Sequence, residues 1–120
     1  MRRVISSGSV KAIYLDKEEL FKKLEESCKT AMELFPNIDE IILFGSLARG
    51  DFHGLSDVDL LIVEKEKKEE DFILRIKPYF KFFSEQLKIA VDIIVITKEE
   101  KILFSNILKE GKVLCKRNSL

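Results

Sequence analysis

Residues Leu43–Asp59 read LFGSLARGDFHGLSDVD, and this stretch decides the fold. An apolar run from Ile41 to Phe44 ends in the small pair Gly45-Ser46; ten residues later Asp57-Val58-Asp59 opens a second apolar run. Side chains alternate faces along a strand, so Asp57 and Asp59 are expected on one side, with Val58, Leu60 and Ile62 on the other. Two adjacent carboxylates repel unless something neutralises them, and a hard divalent cation is the usual answer. The near-continuous apolar residues beyond Asp59 imply a strand covered on both faces.

Upstream, Val10–Leu15 (VKAIYL) leans towards a short strand or an extended arm. Asp16 and Glu19 have the spacing of a capping box, and Leu20, Phe21, Leu24, Cys28, Ala31, Leu34 and Phe35 follow at helical spacing. Pro36-Asn37 stops that helix, and Ile38–Phe44 is the first strong strand. Downstream, Asp57–Val63 is the second strand and Glu64–Glu70 a charge-rich connector, read as solvated. Phe72, Ile73, Ile76, Phe80, Phe83 and Leu87 predict an amphipathic helix, with a kink or restart at Pro78. Ile89–Ile96 is the third strand and carries Asp92 at its centre. Thr97 with Glu100 reads as a second capping box, opening a helix to about Lys109 with Gly111 as its stop, before a short final strand at Val113–Cys115. This alternation predicts an α/β (α+β) fold: a mixed sheet of three or more strands flanked by helices, in a single domain over residues 1–120.

The composition limits the function classes. With 46% hydrophobic and 35% charged residues the chain suits a globular protein, and no apolar run reaches the roughly 18–20 residues of a membrane span. The first residues, MRRVISSGSVKAIY, have two arginines but no apolar h-region, so no secretory signal is expected. Cys28 and Cys115 are too few for a disulfide framework and read as reduced thiols of a cytoplasmic protein. Lys and Arg total 21 against 21 Asp and Glu; that zero balance disfavours a long nucleic-acid substrate, which usually selects a basic excess. Lys and Glu dominate the charge, a bias shared with hyperthermophile proteins.

Three acids in two apolar strands are costly unless compensated, because uncompensated buried charge costs several kcal/mol. A divalent metal would satisfy Asp57, Asp59 and Asp92 together, and oxygen-only ligands favour Mg2+ or Mn2+. Gly45 and Ser46 form the second half of the site. A strand turning into a short helical segment (Ser46–Arg49) presents free backbone N–H groups to phosphate oxygens, and the serine hydroxyl can donate one more hydrogen bond. Arg49 adds a fixed positive charge with fork geometry. His53 reads as a solvated loop residue, and Ser56 as support for the first acid. A phosphate cradle beside a metal site implies phosphoryl or nucleotidyl transfer, and no P-loop sequence is present.

The combined pattern, Gly45-Ser46, ten residues, Asp57-Val58-Asp59 and a later strand acid at Asp92, resembles the DNA polymerase β-type nucleotidyltransferase superfamily. It is most similar to the minimal nucleotidyltransferases, the MNT group. The resemblance covers Asp16 to about Gly111. It implies that Asp57 and Asp59 hold the metals, that Asp92 completes the site, and that Gly45 and Ser46 grip a nucleoside triphosphate. Members of this group are often encoded beside a HEPN-domain protein and act as its antitoxin, and some transfer AMP from ATP to the toxin's tyrosine. The resemblance therefore implies an Mg2+-dependent transfer of a nucleoside monophosphate to a hydroxyl, with a HEPN-domain partner. The chain's shortness leaves the acceptor surface to a partner or to a second copy in a homo-oligomer. Two other readings stand beside it: a catalytically weak binding module that neutralises a toxin sterically, and an aminoglycoside-like small-molecule nucleotidyltransferase.

Overall fold

A computed structural model of the protein describes residues 2–7, 10–15, 17–50 and 57–117. Asp16, His53 and Ser56 lie outside the described residues, and with them the first capping box and most of the loop between the two halves of the motif. Strands β1 (Arg2–Ser7) and β2 (Val10–Leu15) pair antiparallel as a two-stranded sheet. Helix α1 (Lys17–Leu34) leads into β3 (Ile38–Phe44) and the one-turn helix α2 (Gly45–Arg49). Then come β4 (Val58–Glu64), α3 (Phe72–Leu87) and β5 (Val91–Thr97). A 3-10 segment (Glu99–Phe104), α4 (Ser105–Glu110) and β6 (Lys112–Lys116) follow.

The four later strands form one mixed sheet in the order β5-β4-β3-β6. β3 runs antiparallel to both β4 and β6, while β4 and β5 are parallel and joined through α3. A parallel pair needs such a crossover, because a tight turn cannot return the chain in the same direction. β4 lies inside the sheet and all its residues but Asp59 are buried, in agreement with the two-sided apolar pattern.

Alternation divides the core between two faces. Ile41, Leu43, Val58, Leu60, Ile62, Val91 and Val95 meet α1 through Leu20, Leu24, Cys28 and Ala31, and α3 through Tyr79, Phe83 and Leu87. Ile42, Leu61, Val63 and Ile96 point the other way and are covered by Phe104, Ile107 and Leu108. The 3-10 segment and α4 therefore lie on the face opposite α1 and α3.

Four expectations are revised. Helix α3 buries Arg75, Tyr79, Phe83 and Leu87, while Phe72, Ile73 and Phe80 stay exposed. Its inner stripe is set by Glu64, which is the buried last residue of β4 and no part of a solvated connector. Arg75 Nε donates to Glu64 Oε1 at 2.8 Å, and the Tyr79 hydroxyl donates to Glu64 Oε2 at 2.6 Å. Burial, followed by that hydrogen bond, pushes the Tyr79 phenol up. Pro78 sits inside an unbroken α3; it and Leu74 are both exposed, so the Leu74 carbonyl that loses its donor can face water. The helix expected after Thr97 is split into the 3-10 segment and α4. Its capping contact nonetheless forms, with the Thr97 N–H donating to Glu100 Oε1 at 2.9 Å. Cys28 and Cys115 are free, and a hydrogen bond to Cys115 together with burial pushes the Cys28 thiol up. Among the described residues, no helix is long and apolar enough to cross a membrane.

Candidate active site

The sheet register brings the predicted acids to one place. Asp59 is paired with Phe44 on β3 and with Asp92 on the parallel strand β5. Asp59 has the parity of Leu61 and Val63, and Asp92 that of Ile94 and Ile96, so both belong to the face that carries α4. Asp57, two residues before Asp59, immediately precedes β4 and is exposed. The three acids thus stand where β4 and β5 begin, beside the C-terminal end of antiparallel β3.

Asp59 records their mutual repulsion. Its carboxyl is pushed above the ordinary aspartate value, first by burial, then by the charges of Asp92 and Asp57 and by a hydrogen bond with Asp92; Arg49 pulls the other way. The folded site therefore disfavours the ionised Asp59 carboxylate in the absence of a compensating cation. Among the described residues, no three histidine, cysteine or acidic side chains are gathered tightly enough to hold a metal unaided. The donor set is nonetheless all carboxylate oxygen, which suits Mg2+, an ion usually held by one or two carboxylates with substrate phosphates and water supplying the rest.

Gly45 abuts this group. Its φ of +76° lies in the left-handed region, and a Cβ built on it would fall on Asp59 Oδ2 and within 2.9 Å of Asp59 Cγ. The backbone of the turn and the carboxylate are in contact through the space a side chain would fill. Leu47 and Ala48 are buried and anchor α2, leaving Ser46 half-buried and Arg49 exposed. Phe44, at the N-cap of α2, makes no side-chain cap, which leaves the leading N–H groups available to an outside acceptor. Gly50 closes the turn at φ 81°, its N–H donating to the Ser46 carbonyl.

Arg49 reaches from α2 to α4 beside the site. Its Nη1 donates to Glu110 Oε2 on α4 at 3.3 Å. A cleft of about 280 Å³ opens here, lined by Phe44, Gly45, Arg49, Asn106, Ile107 and Glu110. Larger hollows of about 390 Å³ lie elsewhere, one between Lys65–Lys67 and Thr97–Glu100, the other along Ile73, Ile76, Lys77 and Phe80 of α3. None of the three is lined by the acids themselves, but the smaller cleft alone among them includes Gly45 and Arg49, so size does not identify the site. Sequence reasoning missed Glu110, because no local pattern indicated that α4 would fold back beside α2.

The family described as polymerase beta, nucleotidyltransferase matches residues 22–120. An inferred protein adenylyltransferase of Methanocaldococcus jannaschii is 41% identical over 61 residues, which are 48% of this chain and 60% of that protein. The chain thus spans less than two thirds of that curated relative. The crystal structure of an inferred nucleotidyltransferase from Sulfolobus solfataricus is 32% identical, with 84% of each chain covered and a TM-score of 0.65. The Shewanella oneidensis MNT antitoxin in complex with tri-AMPylated HEPN toxin shares the fold at 18% identity, covering 82% of this chain and 73% of that one, with a TM-score of 0.55.

Proposed function

Since the chain belongs to the polymerase beta nucleotidyltransferase family, we propose that it transfers AMP from ATP to a hydroxyl of a partner protein, a HEPN-type toxin, in the cytoplasm. The observation that carries this reading is the pairing of Asp59 with Asp92 across β4 and β5, with the Gly45 turn against the Asp59 carboxylate. The acceptor oxygen attacks the α-phosphorus of ATP, the bond to the bridging oxygen of the β-phosphate breaks, and pyrophosphate leaves. A divalent ion, Mg2+ in this reading, supplies charge neutralisation at the phosphates and at the attacking oxygen.

The protein's own residues do the rest. Asp57 and Asp59 hold the ion. Asp92, the exposed acid of the pair, faces the acceptor and takes up its hydroxyl proton. The N–H groups at Gly45 and Ser46 bind the departing phosphates, and Arg49, at the end of α2 and lining the same cleft as Gly45, adds positive charge beside them. Support for a protein acceptor comes from the adenylyltransferase relative and from the fold shared with a HEPN-toxin partner.

The test is incubation with labelled ATP, Mg2+ and the product of the neighbouring gene, the proposed toxin. Transfer of label to the toxin that is abolished in Asp57→Asn and Asp59→Asn is the expected result. Toxin neutralisation that persists in both variants, with no label transferred by the wild type, would overturn catalysis in favour of steric binding.

A further inference from the structure

Asn106 and Glu110 are one turn apart on α4, so they share a face of that helix, and both line the cleft beside Gly45. Phe44 and Ile107 supply its apolar wall. The two charges in the cleft answer each other, Arg49 donating to Glu110. A polyphosphate calls for an excess of cations; a neutral, partly apolar cleft instead suits a flat, uncharged heterocycle. Gly45 belongs to both places, touching the Asp59 carboxylate on one side and lining the cleft on the other. A ligand with phosphates at the acids can therefore reach the cleft without leaving the protein surface.

Asn106 is the unspent polar group here. It is exposed, and among the described residues its amide makes no hydrogen bond. An amide offers one acceptor oxygen and two N–H donors. That set matches the N7 acceptor and N6 amine of adenine, whereas the same edge of guanine presents two acceptors and leaves the amide oxygen facing an oxygen.

We propose that the cleft between α2 and α4 seats the nucleobase of the triphosphate, and that Asn106 selects adenine over guanine. This rests on the nucleotidyl-transfer reading above and goes on to name the groups that read the base. The neighbouring Glu110 carboxylate, held by Arg49, adds a second acceptor on the same helix face and favours bases that carry an amine.

Calorimetric titration of the full chain with non-hydrolysable ATP and GTP analogues in the presence of Mg2+ tests it. The wild type is expected to bind the ATP analogue about tenfold more tightly, the scale of one good bidentate base contact. Asn106→Ala should bring the ATP analogue down to the affinity of the GTP analogue and leave the latter unchanged. Asn106→Leu, of similar size but with neither donor nor acceptor, should do the same. Position 106 lies on an exposed helix face, and an unchanged melting temperature verifies that the fold is intact. A preference for ATP that survives both substitutions, or equal affinities in the wild type, overturns the base seat while leaving the transfer reading standing. Failure of both analogues to bind the wild type overturns both.

Discussion

A methyl group on Gly45 would meet Asp59 directly, and the backbone there is already in the left-handed region. Holding a non-glycine residue in that conformation costs about 1–3 kcal/mol, and the displaced carboxylate would leave its place beside Asp92. Gly45→Ala should therefore lower the urea midpoint and abolish label transfer together; a variant that retains full transfer would refute the close approach. Asp59 carries the opposite energetic sign. Its folded-state value is raised, so whatever stability it contributes is complete below the unfolded value near 3.8 and is lost as pH rises through the folded one. At neutral pH the ionised carboxylate opposes folding, and Asp59→Asn should melt at a higher temperature than the wild type while losing transfer, as scanning calorimetry at pH 7 and the labelling assay would show. Both residues were readable as candidates from the Gly-Ser and Asp-x-Asp spacing. Their contact was not, because it depends on the β3–β4 register, which no local pattern specifies.

Elements were legible where one physical signal dominated. β3 needed only an apolar run ending at a small-residue turn, and α1 an uninterrupted helical period ending at a proline. Helix α3 misled because Phe72, Ile73 and Phe80 look like core by hydrophobicity, while the residues turned inward include Arg75 and Tyr79. Burying those two is favourable only with Glu64 opposite them, a partner 11 and 15 residues away in sequence. Removing one member of a buried ion pair leaves the other charge uncompensated at a cost of about 3–5 kcal/mol. Glu64→Gln should destabilise by about that amount in urea unfolding; a loss well under 1 kcal/mol would mean that water, not Glu64, satisfies Arg75. The Thr97–Glu100 contact acts at the same scale. The Thr97 N–H and hydroxyl, with Arg75, hold the Glu100 carboxyl below its ordinary value of 4.5. A lowered acid stabilises the fold above its unfolded value and loses that contribution as pH falls through the folded one. The stability gap between the wild type and Glu100→Gln should therefore be widest near neutral pH and close below pH 4.5. A gap that is constant with pH would mean that the carboxylate charge contributes nothing.

At the scale of the whole molecule, the two sheet faces do different work. One is sealed by α1 and α3 over the larger core; among the described residues the other is covered by the 3-10 segment and α4, and Asp59 and Asp92 stand at its end. That division was foreshadowed by alternation in the strands. What no sequence pattern carried was the return of α4 beside α2, since it follows from Gly111 packing against β3: a Cβ on Gly111 would come within 2.6 Å of Ile42 Cγ2 and 3.2 Å of the Leu43 carbonyl. With the acids unneutralised, the folded protein holds a charge repulsion that a cation and a triphosphate together relieve, and binding to the native state alone stabilises it by mass action. At a ligand concentration of 100 times Kd this amounts to about 2.7 kcal/mol, and for a chain of this size each kcal/mol moves the melting temperature by about 4 °C. Mg2+ with a non-hydrolysable ATP analogue should therefore raise the melting temperature by about 10 °C at such saturation. Either component alone should do much less, since Asp57, Asp59 and Asp92 lack the remaining ligands and the phosphates lack a counter-charge. Asp57→Asn should remove most of the shift. An unchanged melting curve in the presence of millimolar Mg2+ and nucleotide would mean that the three acids do not act as one site.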